Sequence, residues 1–232
     1  MAKFRPSSTI EEIRGSVGAD TYSRVKSGFI IKAKSYPGSK HHYVITPRQA
    51  QINIKFGTIA PTWQNLTDAQ RKAWNLLSAT MGSTNIFGGH YTQSGFNFFT
   101  SLNYNLLLCG SPFILDPPEK PTIWQLKSFG IVYNTMMHPY LWIDFSGFST
   151  GTYTAYFVYA SPQVSVGITS CTNKYRFIDI IPPSTADHYN IFTSYTSLYG
   201  PINTGLKMFI KLKPVEIHTG FTGLNLYNYL II

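Results

Sequence analysis

Ser111-Pro112-Phe113-Ile114-Leu115-Asp116-Pro117-Pro118-Glu119-Lys120-Pro121 divides this chain. Four prolines in eleven residues favour an extended segment over a helix or a central strand, because proline fixes φ and lacks a backbone donor. The stretch reads as a stiff linker. Helix signals precede it and strand signals follow it, so the fold class expected is α+β. The boundaries expected are residues 1–110 for an N-terminal region, 111–121 for the linker and 122–232 for a β domain.

Downstream, side chains alternate with period two. Tyr140, Trp142 and Asp144 alternate with Leu141, Ile143 and Phe145, and Tyr153, Ala155, Phe157 and Tyr159 share one face. Strands are predicted over 123–133, 140–146, 152–160, 174–181, 206–213 and 224–231, with a short one near 164–168. A helical turn or a long loop is expected within 184–199. Six or seven short strands in such a span suit an Ig-like or fibronectin-III-like β-sandwich.

Upstream, residues 1–14 read as an extended arm, since Pro6, Ser7, Ser8 and Thr9 resist regular structure. Residues 15–36 read as a β-hairpin turning at Ser27-Gly28. Period two puts Tyr22, Arg24 and Lys26 on one face with Ile30, Lys32 and Lys34 of the return. Phe29, Ile31 and Ala33 then make an opposite apolar face. Thr46 and Pro47 start a helix carrying Ile52, Phe56 and Ile59, which Pro61 ends or kinks. Thr67-Asp68-Ala69-Gln70 has the form of a capping box for a second helix running to about Ala79. Its buried side is Ala73, Trp74 and Leu77, with Trp63 and Leu66 at its entrance. Ser94 caps a third helix over 95–108, whose apolar stripe is Phe98, Phe99, Leu102, Leu106 and Cys109. Gly110 closes it.

The chain has 232 residues, 44% of them hydrophobic and only 12% charged, with 16 Tyr, 16 Phe and 4 Trp. A core is therefore available and wholesale disorder is excluded. The net charge is +9. Ten basic and three acidic residues fall within the first 60 positions, leaving nine and seven for the rest. The N-terminal quarter carries most of the basic character, which points to a polyanion or an acidic protein surface as its partner. A solvated basic face is the plain alternative. No apolar run resembles a secretory leader or a bilayer span, so synthesis in a reducing cytoplasm is expected. Cys109 and Cys171 form no disulfide framework, and two buried free thiols are favoured over one pairing.

Enzyme signatures are not found. The sequence has no phosphate-binding Gly-Lys-Ser loop, dinucleotide fingerprint or nucleophile elbow. Its ten acidic residues are scattered, without a suggested glycosidase pair. His41-His42 is the sole adjacent histidine pair, and adjacent side chains diverge on any regular element. His90, His138, His188 and His218 lack ligand-like neighbours, and the cysteines lack zinc spacing. No catalytic residue, cofactor, metal or small-molecule substrate is expected. The aromatic content leaves two binding readings beside ordinary packing: sugars stacked on Tyr and Trp of the sandwich, or bases stacked beside basic residues.

Ile13-Arg14-Gly15-Ser16-Val17-Gly18 and Thr21-Tyr22-Ser23-Arg24 resemble the I-R-G-K-x-G-x-x-V-x-S-R opening of small structural proteins of tailed bacteriophages that infect Bacteroidetes, crAss-like phages included. Trp63, Leu66, Thr67, Asp68, Ala69, Gln70, Arg71, Ala73 and Trp74 are similar to that family's W-x-x-L-T-x-A-Q-R-x-A-W stretch. Gly95, Phe99, Leu102, Asn103, Asn105 and Leu106 echo its G-x-x-x-F and L-N-x-N-L segments. Tyr159-Ala160-Ser161-Pro162 and Thr219-Gly220 are weaker echoes. The resemblance covers about residues 13–110. It implies a non-enzymatic virion component of the auxiliary capsid type, a decoration or cementing protein, with motifs that define the fold. The partners expected are the major capsid protein, other virion proteins and further copies of the chain, with no membrane partner. Docking residues expected are Lys3, Arg5, Arg14, Arg24, Lys26, Lys32 and Lys34, with Phe29 and Ile31 as an apolar docking face. A genome-facing or connector-associated nucleic-acid binder is the second reading, and a carbohydrate-binding head or tail fibre module the third.

Overall fold

A computed structural model of the chain describes residues 2–4, 13–18, 20–25, 28–33, 45–84, 87–119, 126–134, 139–145, 151–185 and 187–232. The sequence readings at Arg5, Lys26, Ser27, Lys34, His41, His42, His138 and Pro121 lie outside these residues, as does the side chain of Lys3. The fold is α+β with antiparallel sheets. It divides into two compact units. One comprises Met1–Ser101 with Leu115–Pro117, and the other Leu102–Ile114 with Pro118–Ile232.

In the first unit, β1 (Ala2–Phe4), β2 (Gly15–Val17), β3 (Asp20–Val25) and β4 (Gly28–Ala33) form a sheet in the order β1-β4-β3-β2. The β3–β4 hairpin expected from the sequence is present, and Gly28 is the first residue of its return strand. Part of the segment expected to be an arm pairs as β1, with Ala2 opposite Ile31 and Phe4 opposite Phe29.

Helix α1 (Pro47–Gln64) starts at Thr46, whose hydroxyl accepts from the Gln49 amide while the Gln49 side chain accepts from the Thr46 amide. This second capping box was not recognised in the sequence. Pro61 was expected to end or kink the helix, yet the helix continues through it to Gln64. Pro61 lacks the backbone donor of an interior helical position, but its carbonyl still accepts from the Asn65 amide at 3.1 Å, which closes the last turn. Helix α2 (Asp68–Met81) starts at Thr67 with the expected Thr67–Gln70 box. Strands β5 (Ser83–Thr84) and β6 (His90–Tyr91) make a short ladder. Ser94 then caps α3 (Gly95–Cys109) by accepting from the Asn97 amide. Trp74 is fully buried, its ring 5.3 Å edge-on from Phe99, which also lies 5.3 Å from Trp63. Gly95 is required at the start of α3, because a Cβ there would meet the Asn75 amide nitrogen at 2.8 Å.

The proline-rich stretch does not stand free as a linker. The Asn103 side chain pairs with both backbone groups of Ile114, at 2.9 and 3.2 Å, as a strand partner would. Trp74 Nε1 donates to the Leu115 carbonyl at 2.8 Å and Gln70 Nε2 to Asp116 at 3.0 Å. Proline withholds ladder donors from the stretch, and side chains of α2 and α3 satisfy the Ile114 amide and carbonyl and the Leu115 carbonyl.

In the second unit, β7 (Gly130–Asn134), β8 (Tyr140–Asp144), β9 (Thr154–Ala160), β10 (Val164–Ser165), β11 (Arg176–Ile181), β12 (His188–Asn190), α4 (Phe192–Tyr199), β13 (Leu206–Glu216) and β14 (Leu226–Ile231) follow in order. One sheet runs β12-β8-β7. In the other, β13 pairs with β9 and β10 along one edge and with β14 along the other, and β11 pairs with β9. Leu141, Ile143 and Phe145 of the first sheet share a core with Tyr156, Val158 and Ala160 of β9 and Met208, Ile210 and Leu212 of β13. Alternate residues of β9 and β13 thus point inward, as period two requires. Pro214 sits inside β13 because the β14 ladder ends at Leu212, so no partner on that edge needs its missing donor. The 184–199 segment resolves into β12 and α4. Asn190 Oδ1 accepts from the Phe192 amide at 3.0 Å and opens the helix. Among the described residues no helix is long and apolar enough to cross a membrane.

Candidate functional site

Of the basic residues expected to dock, Arg14, Arg24 and Lys32 have described side chains, and all three are exposed. Arg24 lies opposite Phe29 and Tyr22 opposite Ile31, while Lys32 lies opposite Thr21 and Ile30 opposite Ser23. Directly opposed residues of an antiparallel pair share a face. Arg24 therefore stands with Phe29 and Ile31, its guanidinium carbon 5.7 Å from the Phe29 ring centre. The separate basic and apolar stripes expected from the sequence are not formed. The expected register paired even positions with even positions. The observed one pairs even with odd, and a one-residue change of register exchanges the faces of a whole strand. Ile30, the lone buried residue among those described in this sheet, is 6% exposed, whereas Val17 is 68% exposed.

The second unit carries a surface that sequence reading missed. Outward-facing Lys207, Phe209, Lys211 and Lys213 alternate along β13 with the inward Met208, Ile210 and Leu212. Tyr229 lies opposite Phe209 on β14, Tyr227 and Tyr159 lie on either side of Lys211, and Phe157 lies opposite Lys213. Lys207 is nearly buried, with its ammonium 4.0 Å from the Tyr229 ring centre and donating to the Ile168 carbonyl at 3.1 Å. The Lys211 ammonium lies 4.1 Å from the Tyr159 ring centre and 5.3 Å from that of Tyr175. Among the described residues none of the three lysines pairs with a carboxylate. Burial lowers the pKa of Lys211; burial, followed by the charge of Lys211, lowers that of Lys213. Beside Lys211 a groove of about 410 Å³ opens, lined by the 169–172 loop, Tyr175, Phe209, Tyr227 and Tyr229. The signal was present as Lys-x-Lys-Pro over 211–214 facing Tyr-x-Tyr over 227–229. It was hidden because the strands were read only for their apolar alternation.

Comparison with protein families, curated proteins and solved structures finds no match.

Among the described residues no three His, Cys, Asp or Glu side chains converge as a metal site would require. Cys109 and Cys171 are both free thiols, and burial pushes the Cys109 thiol up to about 11. Glu216 is buried, but its carboxylate is engaged with the His218 and Thr219 amides and the Thr219 hydroxyl, closing the turn that carries Gly220. Gly220 has φ +74° and approaches the Leu102 carbonyl so closely that a Cβ would collide with it. Its own carbonyl accepts from Asn105 Nδ2 at 2.8 Å. Leu102 and Asn105 of α3 thus meet Gly220 from a distant stretch of the chain.

Proposed function

We propose that the chain is a non-enzymatic structural protein of a tailed-phage virion, an auxiliary capsid protein that binds the major capsid shell through its basic N-terminal region. The observation that carries this reading is the role of the motif residues. Thr67 and Gln70 cap a helix, Trp74 and Asn103 hold the proline-rich stretch, and Asn105 holds the Gly220 turn. These contacts are fold-defining and use the polar groups that a catalytic motif would leave open. The docking residues in this reading are Arg14, Arg24 and Lys32, together with Lys3, Arg5, Lys26 and Lys34. Phe29 and Ile31 supply apolar contact beside them, and residues 1–14 act as an extended arm.

The same proposal takes the second unit as an Ig-like or fibronectin-III-like sandwich. Leaving aside the two-residue β10, its first, second and fifth strands, β7, β8 and β12, share one sheet, and its third, sixth and seventh, β9, β13 and β14, share the other. This grouping supports the reading, because constant-type immunoglobulin sheets divide in the same way except that the fourth strand, here β11, would join the first sheet and not stand beside the third. Particle composition and a virion reconstruction test the assignment. The chain should purify with intact particles and occupy density on the capsid shell. Its loss from particles during purification, or density confined to the genome or the connector, overturns it.

A further inference from the structure

We propose that the groove between the 169–172 loop and β14 binds an anionic saccharide, a pyranose bearing a carboxylate, with Tyr227 and Tyr229 as its stacking platform and Lys211 as its cation. The site is unassigned by the capsid reading and stands independently of it.

The argument begins with charge. Lys207, Lys211 and Lys213 project from one face of one strand, and among the described residues no carboxylate pairs with them. Withdrawing cations from water is costly unless an anion or aromatic faces compensate. The rings of Tyr229, Phe209, Tyr159 and Tyr175 offset part of that cost. Lys207 also uses the Ile168 carbonyl, but Lys211 makes no hydrogen bond among the described residues and borders the groove. An anion seated there would supply its missing partner.

The second element is shape. Tyr227 is 62% exposed and Tyr229 53% exposed, one side-chain step apart on an edge strand that holds them in place. Exposed tyrosines are rigid platforms that lose little conformational freedom on contact. The groove volume of about 410 Å³ falls within the range of small-ligand sites. Its rim carries Thr169, Ser170 and Thr172, hydroxyls suited to the many hydroxyls of a sugar.

A single-stranded nucleic acid also combines anions with flat rings, but it requires an open basic track spanning several nucleotides. Here the lysine row does not continue as such a track, because Lys207 is nearly buried at one end and Phe157 is fully covered beside Lys213 at the other. One seat for one anion favours the saccharide.

Titration of the full-length chain with tetragalacturonate, with the neutral tetrasaccharide of galactose and with oligothymidylate tests the proposal. Saturable binding of the uronate is expected, about tenfold or more tighter than of the neutral sugar. Lys211→Met and Tyr227→Ala should each weaken it by a similar factor without lowering the melting midpoint, whereas Lys72→Ala on the exposed side of α2 should bind as the wild type does. Failure to bind the uronate at millimolar concentration overturns the proposal. So does binding that Lys211→Met leaves unchanged, or oligothymidylate binding more tightly through the same residues. Should Lys211→Met fold poorly, Tyr227→Ala and Tyr229→Ala carry the test, since both rings are exposed.

Discussion

The N-terminal and C-terminal sheets are both antiparallel, but they differ in what their side chains bury. Strands β1 to β4 are three to six residues long, and Ile30 alone is buried among their described residues. Full burial of one aliphatic side chain yields about 1.5–3 kcal/mol. Ordering the backbone costs roughly 1–2 kcal/mol per residue, so one such residue cannot hold the sheet. The β9–β13 pair instead places six buried residues into a shared core: Tyr156, Val158, Ala160, Met208, Ile210 and Leu212. The second sheet carries its own stability. The first has one buried anchor among its described residues, and under the capsid reading proposed above a partner surface would supply the missing burial.

The sharpest way to break this comparison is to truncate one buried isoleucine in each sheet. Ile210→Ala removes a fully buried side chain from the centre of β13 and should cost about 2–5 kcal/mol, read as a lower urea midpoint of the main unfolding transition. Ile30→Ala should leave that midpoint nearly unchanged. Equal shifts from the two substitutions would show that both sheets unfold as one cooperative body, and the contrast drawn here would be lost.

A smaller effect tests where the second unit begins. Because Leu102 and Asn105 contact Gly220, the β domain expected at 122–232 omits a part of its own packing. Gly220→Ala should cost roughly 1–3 kcal/mol, since the residue has a positive φ and no room for a Cβ. Asn105→Ala should fall in the same range of about 1–3 kcal/mol by leaving a buried carbonyl without its donor. Fragment 122–232 should accordingly melt below fragment 102–232. If the two fragments melt alike, the α3 contact is dispensable and the boundary drawn from the prolines stands.

Local signals explain what the sequence disclosed and what it concealed. Thr67-x-x-Gln70, Ser94, Gly110 and the alternation along 140–145 and 206–213 act between near neighbours, and each element they announce is present. Asn103 and Asn105 read as ordinary helix polar residues. Their partners lie 11 and 115 positions away, and no periodicity encodes such a pairing. The hairpin was legible, but its faces were not, because register depends on the connection between the strands. The lysine–tyrosine surface was equally out of reach, since it exists only once β13 lies between β9 and β14.

Removing the first sheet altogether sharpens the comparison further. A chain lacking residues 1–36 should remain soluble and melt in a single cooperative transition, with an unfolding free energy within about 1 kcal/mol of the parent by denaturant titration. The same deletion should abolish incorporation into particles if docking resides there. Normal incorporation of the truncated chain would move attachment to the helices or to the second unit.

The smallest expected effect contrasts a lysine from each sheet. Lys213 lies half-buried beside Lys211, and its pKa falls below the ordinary 10.5 chiefly through burial and secondly through the Lys211 charge. The unfolded chain, whose lysine keeps the ordinary value, binds the proton more strongly than the folded one. Stability therefore rises with pH across the interval between the folded pKa and 10.5. Below that interval the charged Lys213 is a fixed liability, and above it the liability is gone. Lys213→Met keeps the side-chain volume and removes the charge, so it should raise the urea midpoint at neutral pH and lose its advantage above pH 10.5. Lys32→Met, at an exposed position of β4, should leave the midpoint unchanged at either pH. A neutral-pH loss of stability in Lys213→Met would mean that the ammonium anchors the outer face of β13, and burial would no longer be its dominant cost.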